Sequence, residues 1–307
     1  MTEVAIMIEG QNGLNWPRWQ RIAKAVEDLG FVGLFRSDHF TNPNPPDMDS
    51  LELWVSLTWL ASHTKRIEFG PIVSPVSFRQ PTMTARMAAA LADLSEGRLI
   101  LGVGAGWQER EHTNYSWDLL PTRQRLDRFE EALQVITALL HNEHPTDFSG
   151  TYYKLHDAIV LPHPTHPLPI LIGGNGPERT LPLAARFADE WNGVGITAAR
   201  AAELNKRLDE LLTANHREKS ALKRSLMTRV VFGRDDADLA RVLSSEQQTA
   251  DELKASGLIV GTPAAIVDQI GKMAEAGMYR VMLQWLDLDD LDGLEAMAKS
   301  ILPQVSK

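Results

Sequence analysis

The chain has 307 residues, 44% of them hydrophobic, enough for one large α/β barrel or two smaller domains of a globular protein. A formal net charge of −9 argues against nucleic acid or an anionic membrane surface as the main partner, so an anionic ligand would need a local basic pocket. There is no cysteine, which excludes disulfides, thiolate nucleophiles and Cys-ligated metal centres.

The first residues lack the basic start and long apolar core of a signal peptide, and no apolar run reaches membrane-spanning length, so the cytoplasm is the expected location. Residues 4–8 read as a buried strand, and Trp16, Trp19, Ala23, Val26 and Leu29 mark an amphipathic helix closed by Gly30. A second strand, residues 31–36, runs into Ser37-Asp38-His39-Phe40 and a proline-rich loop, after which Leu53, Leu57 and Leu60 seed a helix. Ile67 and Phe69 open a third strand that Pro71 and Pro75 force out of the ladder. Met83, Met87, Leu91 and Leu94 recur at helical spacing, with Pro81 suited to the first turn and Gly97 to the stop.

Residues 99–103 are short and continuously apolar, which suits a parallel strand buried on both faces. Gly102, Gly104 and Gly106 then remove side chains from one side of the backbone, which would let a flat ring or a phosphate approach. Residues 107–111 read as loop, so the glycine run is not a dinucleotide fingerprint, which needs a helix start there. Residues 125–140 are helical in pattern, and residues 143–169 read as an inserted hairpin with a proline-rich connector. A fifth strand leads into Gly173-Gly-Asn-Gly176 and a helix started by Pro177. Strands over 190–194, 226–232 and 280–285 make eight. Residues 234–257 are polar, helical in propensity and longer than an ordinary connection, and suggest a lid. The repeated alternation predicts a single (β/α)8 TIM barrel over 1–307, with insertions after strands four and seven; a doubly wound open sheet is the alternative.

In such a barrel the functional residues lie where strands end. That rule collects Glu9 and Gln11, Asp38 and His39, Val73 and Ser74, residues 104–107, residues 173–176, and Trp191 with Asn192. One acid–base residue among glycines is a poor set for a hydrolase and suits a protein that lends its chemistry to a cofactor. In Asp38-His39 the imidazole can exchange a proton near neutral pH, or the pair is a capping Asp beside a packed His. Glu109 and Glu111 offer carboxylates over the same opening, or belong to a solvated charge run. Trp107, His112, Tyr115 and Trp117 would line the substrate side or pack under the loop. His156, His163 and His166 lack the converging geometry of a metal site, so none is expected.

These residues resemble the bacterial luciferase-like family of flavin- and deazaflavin-dependent oxidoreductases, most closely its branch using coenzyme F420. The resemblance runs nearly end to end. It rests on Gly30-Phe-Val-Gly-Leu-Phe-Arg-Ser-Asp-His39, Arg79-Gln-Pro81, Leu91-Ala-Asp-Leu-Ser-Glu-Gly-Arg98, Gly102-Val-Gly-Ala-Gly-Trp107, Ile172-Gly-Gly-Asn-Gly176 and Gly261-Thr-Pro263. It implies hydride transfer between coenzyme F420 and a small organic substrate, with FMN-dependent monooxygenation or a non-catalytic ligand-binding barrel as alternatives. It implies a homodimer. The cofactor ring would lie on a strand-three bulge at Ile72, Val73 and Ser74, with a non-proline cis peptide at Ile72–Val73; an X-Pro cis bond at Ser74–Pro75 is the alternative. Asp38, Ala105, Gly106 and Trp107 would complete the ring site, and Gly173, Gly174, Asn175 and Gly176 would hold a phosphate. His39, Asp38 and Glu111 are the implied catalytic candidates, and Arg79 and Arg179 are either charge partners for the phosphate or an acidic tail or simply surface arginines. Trp107 stands where relatives that oxidise sugar phosphates carry a proton-transferring glutamate, which argues against that substrate class.

Overall fold

The computed structural model describes residues 2–305. In chain order it opens with β1 (Glu3–Ile8), α1 (Trp16–Leu29), β2 (Gly33–Arg36), α2 (Leu53–His63), β3 (Glu68–Pro71), β4 (Ser74–Pro75) and α3 (Pro81–Leu94). There follow β5 (Leu101–Gly104), α4 (Glu109–Asn114), α5 (Thr122–His141), β6 (Thr146–Ser149), β7 (Lys154–Ala158), β8 (Ile170–Gly173) and α6 (Thr180–Phe187). The chain ends with β9 (Glu190–Val194), α7 (Ala198–Ala214), β10 (Lys223–Phe232), α8 (Asp236–Leu243), α9 (Ala250–Ala255), β11 (Ile259–Gly261), α10 (Pro263–Glu275), β12 (Arg280–Gln284) and α11 (Leu291–Val305).

Parallel pairing runs β3-β2-β1-β12-β10-β9-β8-β5-β4, and a parallel bridge between Phe69 and Leu99 joins β3 to the chain leading into β5. β3 and β4 are two pieces of one strand, so the ring closes with eight positions, as the alternating pattern predicts. Closure leaves little room. A Cβ on Gly102 would stand 2.0 Å from the Pro71 carbonyl oxygen, and one on Gly70 1.9 Å from that of Ile100. The last three residues of β10 continue past the barrel and pair with β11, an extra strand the sequence pattern does not separate from its helix.

The helices begin and end where the chain chemistry dictates. Asn15 caps α1 by accepting from the Arg18 N–H at 3.2 Å, and Gly30 ends it at φ 93°, a left-handed turn that costs glycine no Cβ clash. Pro81 opens α3. The predicted hairpin is β6 against β7, antiparallel, between α5 and β8. Residues 234–257 fold as α8 and α9, seated on Val231 and Val260 through Leu239, Val242 and Leu253.

The barrel interior is layered. At the N-terminal end the fully buried Arg280 pairs with Glu190, Glu3 and Glu68. Above it lie Ala5, Met7, Phe35, Ile72, Ile100, Leu171 and Met282. Among the described residues no helix is long and apolar enough to cross a membrane.

Candidate active site

At the C-terminal ends of the strands a cavity of about 420 Å³ opens. Its floor is Met7, Asn192 and Met227, and its walls include Ile72, Val73, Gly104–Trp107, Gly173 and Gly174. The peptide bond Ile72–Val73 is cis, whereas Ser74–Pro75 is not among the cis bonds. Ile72 and Val73 thereby bulge between β3 and β4 and present their edge to the cavity.

His39 reaches the cavity from the end of β2. Its Nδ1 lies 2.8 Å from Oε1 of Glu111, and its ring meets Trp107 edge to face at 5.5 Å. Glu111 is fully buried, and its other oxygen accepts from the Phe40 N–H at 3.1 Å. A carboxylate at Nδ1 fixes the proton on that nitrogen and leaves Nε2, which has no partner among the described residues, as the ring's acceptor towards the cavity. Burial pulls the imidazole pKa down, but the hydrogen bond and charge of Glu111, with Glu9 and Asp38 behind it, outweigh burial and hold it above the ordinary histidine value. Burial likewise pushes Glu111 up, and the His39 contacts and the Phe40 N–H more than reverse this, leaving the carboxyl below its usual range.

Glu111 arrives there because residues 109–114 form helix α4, not the loop expected from Trp107-Gln-Glu-Arg-Glu. His112, one residue on, has its Nδ1 at the Gln108 carbonyl at 2.6 Å, so its Nε2 accepts from the Ser77 hydroxyl at 2.8 Å. Phe40, Phe78, Tyr115 and Trp117 pack together beneath, with Phe78 and Trp117 centroids 4.5 Å apart. Of the four aromatics expected either at the substrate side or packed under the loop, Trp107 lines the cavity, 60% exposed, and the other three pack under the loop.

Asp38 does not line the cavity. Its carboxylate accepts from Ser74 Oγ at 2.7 Å and from Arg79, which also reaches Glu52. Ser74 is thus turned away from the cavity too, and Arg79 is engaged by carboxylates instead of standing free for a phosphate. Arg179 is likewise held by Asp127 at 2.7 Å. Glu9, which sequence reasoning collected without a role, lines the cavity between Gln284 and Gln11, both donating to it at 2.6 and 2.9 Å.

The glycine run at the end of β5 is explained by packing before any ligand is considered. A Cβ on Gly104 would lie 2.5 Å from Val73 Cγ2, and Gly106, at φ 85°, is closed in by Ser77. The loop after β8 is different. Gly174 has φ 124°, and Asn175 clamps the turn by donating to the Val194 carbonyl at 2.7 Å and accepting from its N–H at 2.9 Å. The N–H groups of Asn175 and Gly176 carry no hydrogen bond among the described residues. Helix α6 starts at Thr180, not at Pro177, so a turn of three residues separates the glycines from the helix.

The profile of the family described as luciferase-like monooxygenase matches residues 2–249. The chain belongs to this family. An F420-dependent glucose-6-phosphate dehydrogenase of Kineococcus radiotolerans is 32% identical over 221 residues, covering 70% of this chain and 64% of that protein. A protein of the same name from Intrasporangium calvum is 27% identical over 316 residues, covering 91% of each. Among solved structures, an F420-dependent secondary alcohol dehydrogenase in complex with an F420-acetone adduct superposes with a TM-score of 0.86 at 18% identity, over 100% of this chain and 99% of that one; at that identity the likeness shows the fold.

Proposed function

We propose that the chain is an oxidoreductase moving a hydride between coenzyme F420 and a small, uncharged organic substrate, with His39 exchanging the accompanying proton. The observation that carries the reading is an imidazole whose Nδ1 is fixed by a buried carboxylate and whose Nε2 is open to the cavity. The residues fit a flat cofactor: the bulge at Ile72–Val73 forms one wall, continued by Gly173, which packs against Val73, and Gly174 adds no side chain to the cavity. The unbonded N–H groups of Asn175 and Gly176 suit its phosphate. When bound, coenzyme F420 supplies the ring carbon that takes up or returns a hydride.

The protein's own part is proton transfer and orientation. As an alcohol gives up its C–H hydride, Nε2 of His39 takes the hydroxyl proton, and Glu111 stabilises the imidazolium that forms. In the reverse direction the imidazolium returns that proton to the carbonyl oxygen. Among the described residues no Lys or Arg lines the cavity, while Glu9 does, so a phosphate on the substrate finds no charge partner there and meets a carboxylate. That supports a neutral alcohol or carbonyl compound over the sugar phosphate in the relatives' names. Asp38 acts at one remove, holding Arg79 and Ser74 under the bulge. The protein acts in the cytoplasm as a homodimer, an arrangement that would cover apolar groups such as Val55 on α2 and Met83 on α3, both about half exposed.

Titrating the purified protein with coenzyme F420 and separately with FMN, by fluorescence, tests the cofactor. Tighter binding of the deazaflavin is expected; tighter FMN binding with oxygen-consuming turnover would overturn the reading.

A further inference from the structure

Asn192 stands out because it is fully buried yet only half satisfied. It lies on β9 opposite Ser225 of β10 and Gly173 of β8, on the cavity floor. Its Nδ2 donates to Ser225 Oγ at 2.8 Å and sits 3.7 Å from Met282 Sδ. The thioether can only accept, and the Ser225 hydroxyl spends its own proton on the Trp191 carbonyl at 3.3 Å. Both neighbours therefore demand the nitrogen, which fixes the amide orientation and leaves Oδ1 as the spare end. No partner satisfies that oxygen among the described residues. On the β8 side its neighbour is Gly173, whose missing side chain makes room for Val73, with Cγ1 3.0 Å from where a Cβ would stand, so no polar side chain comes from that position.

A buried acceptor without a donor costs free energy in the empty protein, and is tolerated where a ligand completes it. The floor around it is otherwise apolar, with Met7 and Met227 beside it, which suits a ligand that brings one polar N–H or O–H on an otherwise apolar body to this point. We infer that Asn192 Oδ1 accepts the imide N–H of the cofactor's pyrimidinedione ring and so orients the ring in the cavity. This rests on the proposed use of coenzyme F420. The imide alternates acceptor, donor, acceptor, and a lone acceptor on the floor reads the middle position.

The test compares the wild type with Asn192→Leu and Asn192→Ala. Each is titrated, without substrate, with coenzyme F420, with its phosphate-free deazaflavin core, and with that core methylated on the imide nitrogen. Asn192→Leu should weaken the core by roughly 5- to 100-fold, the usual effect of leaving a buried donor unpaired. Its melting midpoint should stay at or above that of the wild type, because the variant removes an orphaned oxygen; an asparagine that only supports the fold would give the opposite result. Methylation should weaken the wild type by a similar factor and cost Asn192→Ala much less, since the shortened side chain accommodates the methyl group. Equal affinity of wild type and Asn192→Leu for the core, or an equal methylation penalty in wild type and Asn192→Ala, would overturn the assignment. A raised KM for the substrate with unchanged cofactor affinity would overturn it too, moving Asn192 to the substrate. Failure of the wild type itself to bind coenzyme F420 would bring down the cofactor reading, and this contact with it.

Discussion

At His39 two opposing influences meet, burial and the Glu111 carboxylate, and the carboxylate wins. If the imidazole exchanges the substrate proton, His39→Ala should slow turnover by roughly 10²–10⁴-fold while leaving cofactor affinity within a small factor. A packing histidine would instead lower the melting midpoint and spare the rate per folded molecule, so stability, affinity and saturated turnover on one variant separate the two. Glu111→Gln gives a sharper reading. In alcohol oxidation the neutral imidazole is required, so kcat should rise through an apparent pKa above the ordinary value of about 6.5, and carbonyl reduction should show the reverse limb. Removing the carboxylate charge should move both limbs to lower pH; an unmoved profile would detach Glu111 from the proton. The pair also contributes to stability within a window. The share from His39, whose folded pKa is raised, is fully present below the unfolded value and is lost as pH rises through the folded one. The share from Glu111, whose folded pKa is depressed, is present above the unfolded value and is lost as pH falls through the folded one.

Among the elements, the loop between β8 and α6 carries the next expectation. Any side chain at Gly174 is strained by φ 124° before a ligand arrives, so a substitution there cannot report on phosphate binding alone. Asn175 is the better probe, because its two bonds to Val194 hold the turn. Asn175→Ala should weaken coenzyme F420, whose phosphate the loop would hold, and leave the phosphate-free core unchanged; equal effects on both would remove the phosphate from this loop. The eight barrel strands and most helices were legible from sequence because buried parallel strands read as apolar runs and helices carry boundary residues at their ends, as Gly30 and Pro81 do. Helix α4 was not, since its six residues are mostly polar and too short for a periodic signal. Gly102, Gly104 and Gly106 were legible as places of close approach, but the sequence assigned that approach to a ring or phosphate, whereas the groups that crowd them, Pro71, Val73 and Ser77, come from another strand and the loop beyond it, which no local pattern reveals. Asn192 was collected at its strand end together with Trp191, which does not line the cavity, while Met7 and Met227 on the floor were hidden for a related reason: in strands buried on both faces, alternation no longer separates inward from outward positions.

Across the whole molecule the two ends of the barrel differ, with the candidate site's cavity at the C-terminal face and a charged plug at the other. Arg280 there is fully buried among Glu190, itself 2% exposed, and the half-exposed Glu3 and Glu68. Burial, the largest influence on Glu190, raises its pKa although Arg280 opposes this. Arg280→Met leaves that carboxylate buried without its cation, and should cost about 3–5 kcal/mol of stability at neutral pH, measured by urea unfolding. Glu3 and Glu68 can turn to water, so the loss should trace to Glu190, and adding Glu190→Leu should recover much of it by removing the stranded charge. The pH dependence has a defined sign. A carboxyl whose folded pKa lies above its unfolded value takes up protons on folding, so the deficit of Arg280→Met should be small near pH 4 and grow as pH rises through the folded value. Because the plug lies below the apolar layer of Met7, Phe35 and Met282, cofactor affinity of the folded variant should match the wild type. A large change in affinity without loss of stability would show that the two ends of the barrel are coupled.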